Sequence, residues 1–103
     1  MTITVEELKQ KLDAGEQILL VDVREPFENE FASIGGVLIP LGDLPRRLSE
    51  LDPSREIVTY CHRGVRSLQA ASFLRSRGFA STRSLAGGIT AWSEQIDPSI
   101  PRY

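Results

Sequence analysis

The chain is poor in the residues that would give it a disulfide, a metal site or a membrane span. It holds one cysteine, Cys61, and one histidine, His62, among 103 residues. One cysteine excludes an internal disulfide, and one cysteine with one histidine is too few for a protein zinc site. No metal and no cofactor is expected. The apolar run Ile18-Leu19-Leu20-Val21 is far too short to cross a membrane. The start, Met1-Thr2-Ile3-Thr4, has neither a charged n-region nor a long apolar core, so no signal peptide is expected. A net charge of −2 argues against nucleic acid or an anionic membrane as the main partner. There is no internal repeat and no low-complexity segment. The expectation is a soluble monomer in a reducing, cytoplasmic compartment.

What is present suits one globular domain over residues 1–103. Hydrophobic residues at 41% and charged residues at 25% are ordinary globular values. A chain of this size buries about two-thirds of its unfolded surface on folding. Thr4-Val5-Glu6-Glu7 has capping-box spacing, Val5, Leu8 and Leu12 then share a helical face, and Gly15 supplies the stop. Gln17 to Val23 is a continuous apolar strand, a pattern that suits burial on both faces of a parallel sheet. Pro26 fits the first turn of a short helix through Phe31. After the break at Gly35-Gly36, Val37-Leu38-Ile39 forms a short strand. Asp43 then caps a short helix with Leu44, Leu48 and Leu51 on one face. Glu56 to Tyr60 is β-branched and apolar and reads as a buried strand. A helix from Ser67 to Arg77 turns Leu68, Ala71 and Leu74 inward and ends at Gly78. A weaker strand over Thr82–Leu85, a Gly87-Gly88 turn, a helix from Ile89 to Ile96 and an extended tail over residues 97–103 complete the chain.

Strands alternate with helices, which predicts an α/β fold with a five-stranded, mostly parallel sheet and helices on both faces. Ligands of such folds bind beyond the carboxyl ends of the strands. Cys61 stands at one of those ends, followed by a polar loop, His62-Arg63-Gly64-Val65-Arg66, and then Ser67. The first N–H groups of a helix lack intrahelical partners and carry positive potential. A loop curling over them aims further N–H groups at one point, forming an anion nest. Gly64 permits the tight turn, and Arg63 and Arg66 bracket it with permanent charge. A free thiol titrates near ~8.5. Lowering it by about two units needs about 2.7 kcal/mol, and a helix dipole supplies only ~0.3–1 kcal/mol. The loop N–H groups and an arginine are therefore expected to supply most of the rest.

The stretch Cys61-His62-Arg63-Gly64-Val65-Arg66-Ser67 resembles the active loop of rhodanese-like sulfurtransferase domains. Leu20-Val21-Asp22-Val23-Arg24-Glu25-Pro26 and Gly87-Gly88-Ile89-Thr90-Ala91-Trp92 resemble two further segments of that family, in family order. One departure is visible: Ser33-Ile34-Gly35-Gly36-Val37 lacks the histidine that many members carry there. The resemblance implies a rhodanese-like domain in which Cys61 is the catalytic nucleophile. His62, Arg63, Gly64, Val65, Arg66 and Ser67 would bind the substrate. Cys61 would take a sulfane sulfur from thiosulfate or a persulfide donor and pass it to a thiophilic acceptor. His62 is placed either to meet an anion or partner or to face solvent. Asp22 and Arg24 read as structural, Trp92 as core and Gly87-Gly88 as a turn. The run from Ala86 to Tyr103 resembles the end of rhodanese domains fused to sulfur-carrier adenylyltransferases. That implies a small-molecule sulfur donor and, as protein partners, a sulfur carrier, an adenylyltransferase or a cysteine desulfurase.

Two other functions use a similar loop. A cysteine-dependent phosphatase or arsenate reductase needs room for a tetrahedral oxyanion. Four residues separate Cys61 from Arg66, one fewer than in phosphatase loops, and no acidic residue in the loop could protonate a leaving alkoxide. A non-catalytic binding module is the third reading, and the retention of Cys61, Gly64 and Arg66 together weighs against it.

Overall fold

Strand-forming and helix-forming stretches alternate along the sequence, and the computed structural model, which describes residues Met1–Tyr103, gathers the strands into one parallel sheet. The elements are β1 (Thr2–Ile3), α1 (Val5–Asp13), β2 (Ile18–Asp22), α2 (Pro26–Phe31) and β3 (Val37–Leu38). Two 3₁₀ helices follow (Leu41–Arg46 and Leu48–Glu50), then β4 (Glu56–Tyr60), α3 (Val65–Ser76), β5 (Thr82–Leu85) and α4 (Gly88–Gln95). The sheet order is β1-β5-β4-β2-β3, and every pairing is parallel. β4 lies at the centre. Asp22 on β2 pairs with Tyr60 on β4, so the chain leaves both strands at the same edge, Val23 and Arg24 beside Cys61. No helix is long and apolar enough to cross a membrane.

Helices cover both faces, as the alternation requires. Val5 and Leu8 of α1 and Ile89 and Trp92 of α4 pack with Tyr60 on one face. Leu44 and Leu51 from the 3₁₀ region and Ala70 and Leu74 of α3 pack with Ile57 and Cys61 on the other. The local chemistry matches the sequence in several places. Thr4 and Glu7 form a reciprocal capping box, and Pro26 opens α2. Gly15 and Gly78 take up positive φ just past the ends of α1 and α3.

Five details differ from the sequence reading. β1 is a strand the pattern does not announce: two residues long, it is held at the edge by pairing with β5. α3 begins at Val65 rather than Ser67, because Gly64 adopts a left-handed conformation and serves as its N-cap. Its buried face is Ser67, Ala70, Ala71 and Leu74, and the first three are small enough to let the helix approach the sheet closely. Leu68, expected inward, is 44% exposed. Asp43 caps nothing: the chain after Pro40 tightens into a 3₁₀ helix, and Asp43 instead meets Arg46 at 2.9 Å. Finally, residues 97–103 are not an extended tail. Asp97 accepts from the backbone and hydroxyl of Ser99, Ile100 N–H donates to Asp97 O, and the chain turns back toward the sheet edge that carries Cys61.

Candidate active site

The loop after β4 is built so that its N–H groups and its carbonyls face opposite ways. Gly64 has φ +107°, a region other residues enter only under strain, and this turns its N–H onto Cys61 Sγ at 3.1 Å. Ser67 N–H, in the first turn of α3, points at the same sulfur from 3.4 Å. The carbonyls of Cys61 and His62 are taken up by another element. Ile89 N–H donates to Cys61 O at 2.9 Å and Thr90 N–H to His62 O at 3.2 Å, so the start of α4 grips the back of the loop. Gly88 makes this approach possible. A Cβ there would lie 2.5 Å from His62 O and 2.6 Å from Cys61 O. The glycine pair read as a turn is thus also the contact surface for the loop.

Hydroxyls complete the thiol's surroundings. Ser67 Oγ is 3.4 Å from Cys61 Sγ and 2.7 Å from Ser84 Oγ, and all three residues are buried. With the sulfur ionised, Ser67 donates to it while accepting from Ser84. Burial pushes the Cys61 thiol up, but the Ser67 hydroxyl and the backbone N–H groups of Ser67, Gly64 and Arg63 outweigh it. The net shift is below the ordinary thiol value. Cys61 is only 1% exposed and belongs to the apolar cluster beneath the loop. The loop N–H groups nevertheless point at its sulfur rather than being paired elsewhere.

The arginines divide. Arg63 is exposed and stands at the mouth of a groove of about 810 Å³ that runs along α3 past Val65, Leu68 and Phe73. The groove opens beside the loop, and Cys61 does not line it. Arg66, expected to face the anion, makes two parallel bonds to Glu28 instead: Nη1 to Oε1 at 2.7 Å and Nη2 to Oε2 at 2.9 Å. That pairing lowers the Glu28 carboxyl to about 2. Arg66 retains a Coulombic link to the thiol, but hydrogen bonds supply the larger share of its ionisation. Val65 is 70% exposed at the loop's outer corner.

Around the loop lies a polar chain that sequence reasoning catches only at one end. Arg24 and Asp22 are fully buried and joined by Nε–Oδ1 and Nη2–Oδ2 bonds of 2.9 and 2.8 Å, which bears out their structural reading. Arg24 Nη2 also donates to Ala32 O, and Nη1 donates to the hydroxyl of Tyr103 at 2.9 Å. That hydroxyl donates in turn to Glu28 Oε2 at 2.7 Å. Glu28, Ser84, Gly88 and Tyr103 are neighbours of the site that the sequence pattern does not mark. The only signal for Glu28 was its place three residues after Glu25 in a capping arrangement. No group of three or more His, Cys, Asp or Glu side chains converges as metal ligands would.

A buried cysteine held in a backbone N–H cradle at the carboxyl end of the central strand of a parallel sheet is the arrangement on which the comparisons with known proteins bear. A family model described as "Rhodanese-like domain" matches residues 4–95. The chain belongs to that family. It is 40% identical over 105 residues to the protein of Mycobacterium tuberculosis named "Probable adenylyltransferase/sulfurtransferase MoeZ", covering 99% of this chain and 27% of that protein. The chain therefore spans about a quarter of that relative's length. It is also 40% identical over 99 residues to the "Sulfurtransferase" of Allochromatium vinosum, covering 95% of this chain and 92% of the relative. Among solved structures, a rhodanese-related protein from Thermoplasma volcanium superposes with a TM-score of 0.85 at 30% identity, over 99% of this chain and 98% of that one.

Proposed function

We propose that the protein is a sulfurtransferase that carries a sulfane sulfur on Cys61, taking it from thiosulfate or a persulfide donor. The observation that carries this reading is the convergence of Gly64 N–H, Ser67 N–H and the Ser67 hydroxyl on one buried sulfur. Such a cradle favours the thiolate, which is the nucleophilic form. The Cys61 thiolate attacks the outer sulfur of thiosulfate, a new S–S bond forms, and sulfite departs with the electron pair of the bond that breaks. No proton is needed by the leaving group, which accords with a loop lacking a general acid. The charge now rests on the terminal sulfur of the Cys61 persulfide. A nucleophilic acceptor then attacks the terminal sulfur and Cys61 leaves as thiolate, so the donor and acceptor half-reactions alternate.

Exposed Arg63 is the cation free to draw an anionic donor to the loop. The resemblance to MoeZ, whose printed name joins adenylyltransferase and sulfurtransferase, supports a protein-borne acceptor in such a system as the physiological sink for the sulfur. The phosphatase alternative has no observation in its favour. The carboxylate that meets the loop, Glu28, is ionised in its bond to Arg66 and has no proton to give an alkoxide. The test is thiocyanate production from thiosulfate and cyanide. Wild-type protein should turn over with alternating-substrate kinetics and Cys61→Ser should be inactive; hydrolysis of an aryl phosphate without sulfur transfer would reject the reading.

A further inference from the structure

The loop's back is held by α4, but two of its side chains are held by the returning tail. The Tyr103 ring stacks on the His62 imidazole, with centroids 3.9 Å apart and planes 10° from parallel. His62 Nε2 lies 2.7 Å from the main-chain oxygen of Tyr103. A main-chain oxygen only accepts, so Nε2–H is the donor in this contact. On its other side the Tyr103 hydroxyl bridges Arg24 and Glu28, and Glu28 grips Arg66. Phe31 of α2 meets the same ring edge-on at 5.7 Å. The tail that delivers Tyr103 is itself anchored. Ser93 Oγ donates to Ile100 O at 2.7 Å, Arg102 Nε reaches Ser93 Oγ at 3.3 Å, and Ile100 packs on the core.

We propose that Tyr103 is a positioning residue of the active loop. It acts directly on His62, the residue next to the nucleophile, and through Glu28 on Arg66, and so sets the shape of the approach to Cys61. His62 and Arg66 lie on either side of Gly64, whose conformation aims the N–H groups, and Tyr103 is joined to both. Removing the ring frees one side of the loop, whereas removing only the hydroxyl loosens Glu28 and leaves the stack in place.

The kinetic arm rests on the sulfurtransferase reading, whereas the alkylation arm does not. Two variants of the full chain separate the contacts. Tyr103→Phe keeps the ring and should raise KM for thiosulfate about fivefold, the equivalent of one ordinary hydrogen bond, with kcat little changed. Tyr103→Ala should raise it roughly tenfold or more through misplacement of the loop. At a pH where Cys61 is fully ionised, neutral iodoacetamide should alkylate Tyr103→Ala several-fold faster than wild type, and Tyr103→Phe at the wild-type rate. A purely structural tail would lower the melting temperature and leave KM and alkylation unchanged; that result overturns the proposal. If Tyr103→Ala does not fold, Tyr103→Phe decides alone, and an unchanged KM there overturns the proposal as well. If the wild type moves no sulfur at all, the alkylation rates still decide the role of Tyr103.

Discussion

Arg66 meets Glu28 across 38 residues of sequence through two parallel hydrogen bonds of 2.7 and 2.9 Å. This fork commits both Nη atoms of the loop arginine to a carboxylate on α2. Arg66 is therefore a tie between the loop and the helix after β2 more than a direct ligand of the sulfur. Arg66→Ala should cost ~1–3 kcal/mol, since it strips a buried carboxylate of its strongest partner. Arg66→Lys should recover only part, because a point charge cannot bridge two oxygens. Urea titration of the three proteins checks the order.

The same pair sets a pH dependence. Glu28 has its folded carboxyl lowered from an ordinary 4.5 to about 2, chiefly by Arg66. A depressed folded value means the contribution is fully present above the unfolded value of 4.5 and is lost as pH falls toward about 2. Wild type should exceed Glu28→Gln in stability at neutral pH, and the gap should narrow across that window. A gap that is the same at neutral and strongly acid pH would remove Glu28 as the source.

The hydroxyl chain Ser84–Ser67–Cys61 makes a prediction about the thiol. Ser67→Ala removes a donor 3.4 Å from the sulfur, and Ser84→Ala removes the donor 2.7 Å behind it. Both should move the alkylation profile of Cys61 to higher pH, Ser67→Ala further than Ser84→Ala. Arg66→Ala should move it less than Ser67→Ala. Identical profiles for wild type and Ser67→Ala would mean that the hydroxyl plays no part in ionisation.

Two glycines should respond differently to alanine. At Gly64 the added Cβ would meet nothing nearer than Gly87 N at 3.4 Å, so the cost is conformational strain at φ +107°, about 1–3 kcal/mol. At Gly88 it would strike His62 O at 2.5 Å and Cys61 O at 2.6 Å, rigid backbone on both counts. Gly88→Ala should therefore be the more destabilising, and should displace the loop even where the protein still folds. Thermal melts and the Cys61 alkylation rate would check both.

The residues that carried the sequence reading are those whose signals are local. The apolar run of β2, the β-branched run of β4, the Thr4–Glu7 cap and the helix stops at Gly15 and Gly78 all depend on neighbours within a few residues, and each is found in place. Cys61 and Gly64 were legible for the same reason, since a strand, a turn and a helix start follow one another directly. What escaped depends on the tertiary fold. Glu28 and Ser84 are ordinary polar residues until the sheet order brings them to the loop. The tail reads as extended because Pro98 and Pro101 break any helical period, yet Ser93 and Asp97 fold it back. Leu68 matched the helical spacing of Ala71 and Leu74, but a helix pressed close to a sheet favours Ala70 and Ser67 on its inner face.

The central claim is that Cys61 carries sulfur, and intact-mass spectrometry tests it most directly. There is no second cysteine to resolve a persulfide within the chain, so the sulfur must remain until an outside acceptor takes it. Incubation with excess thiosulfate should add the mass of one sulfur atom per chain, and cyanide or a reducing thiol should remove it. Cys61→Ser should never gain it. A wild-type protein that stays unmodified by thiosulfate and by a cysteine persulfide alike would contradict the account.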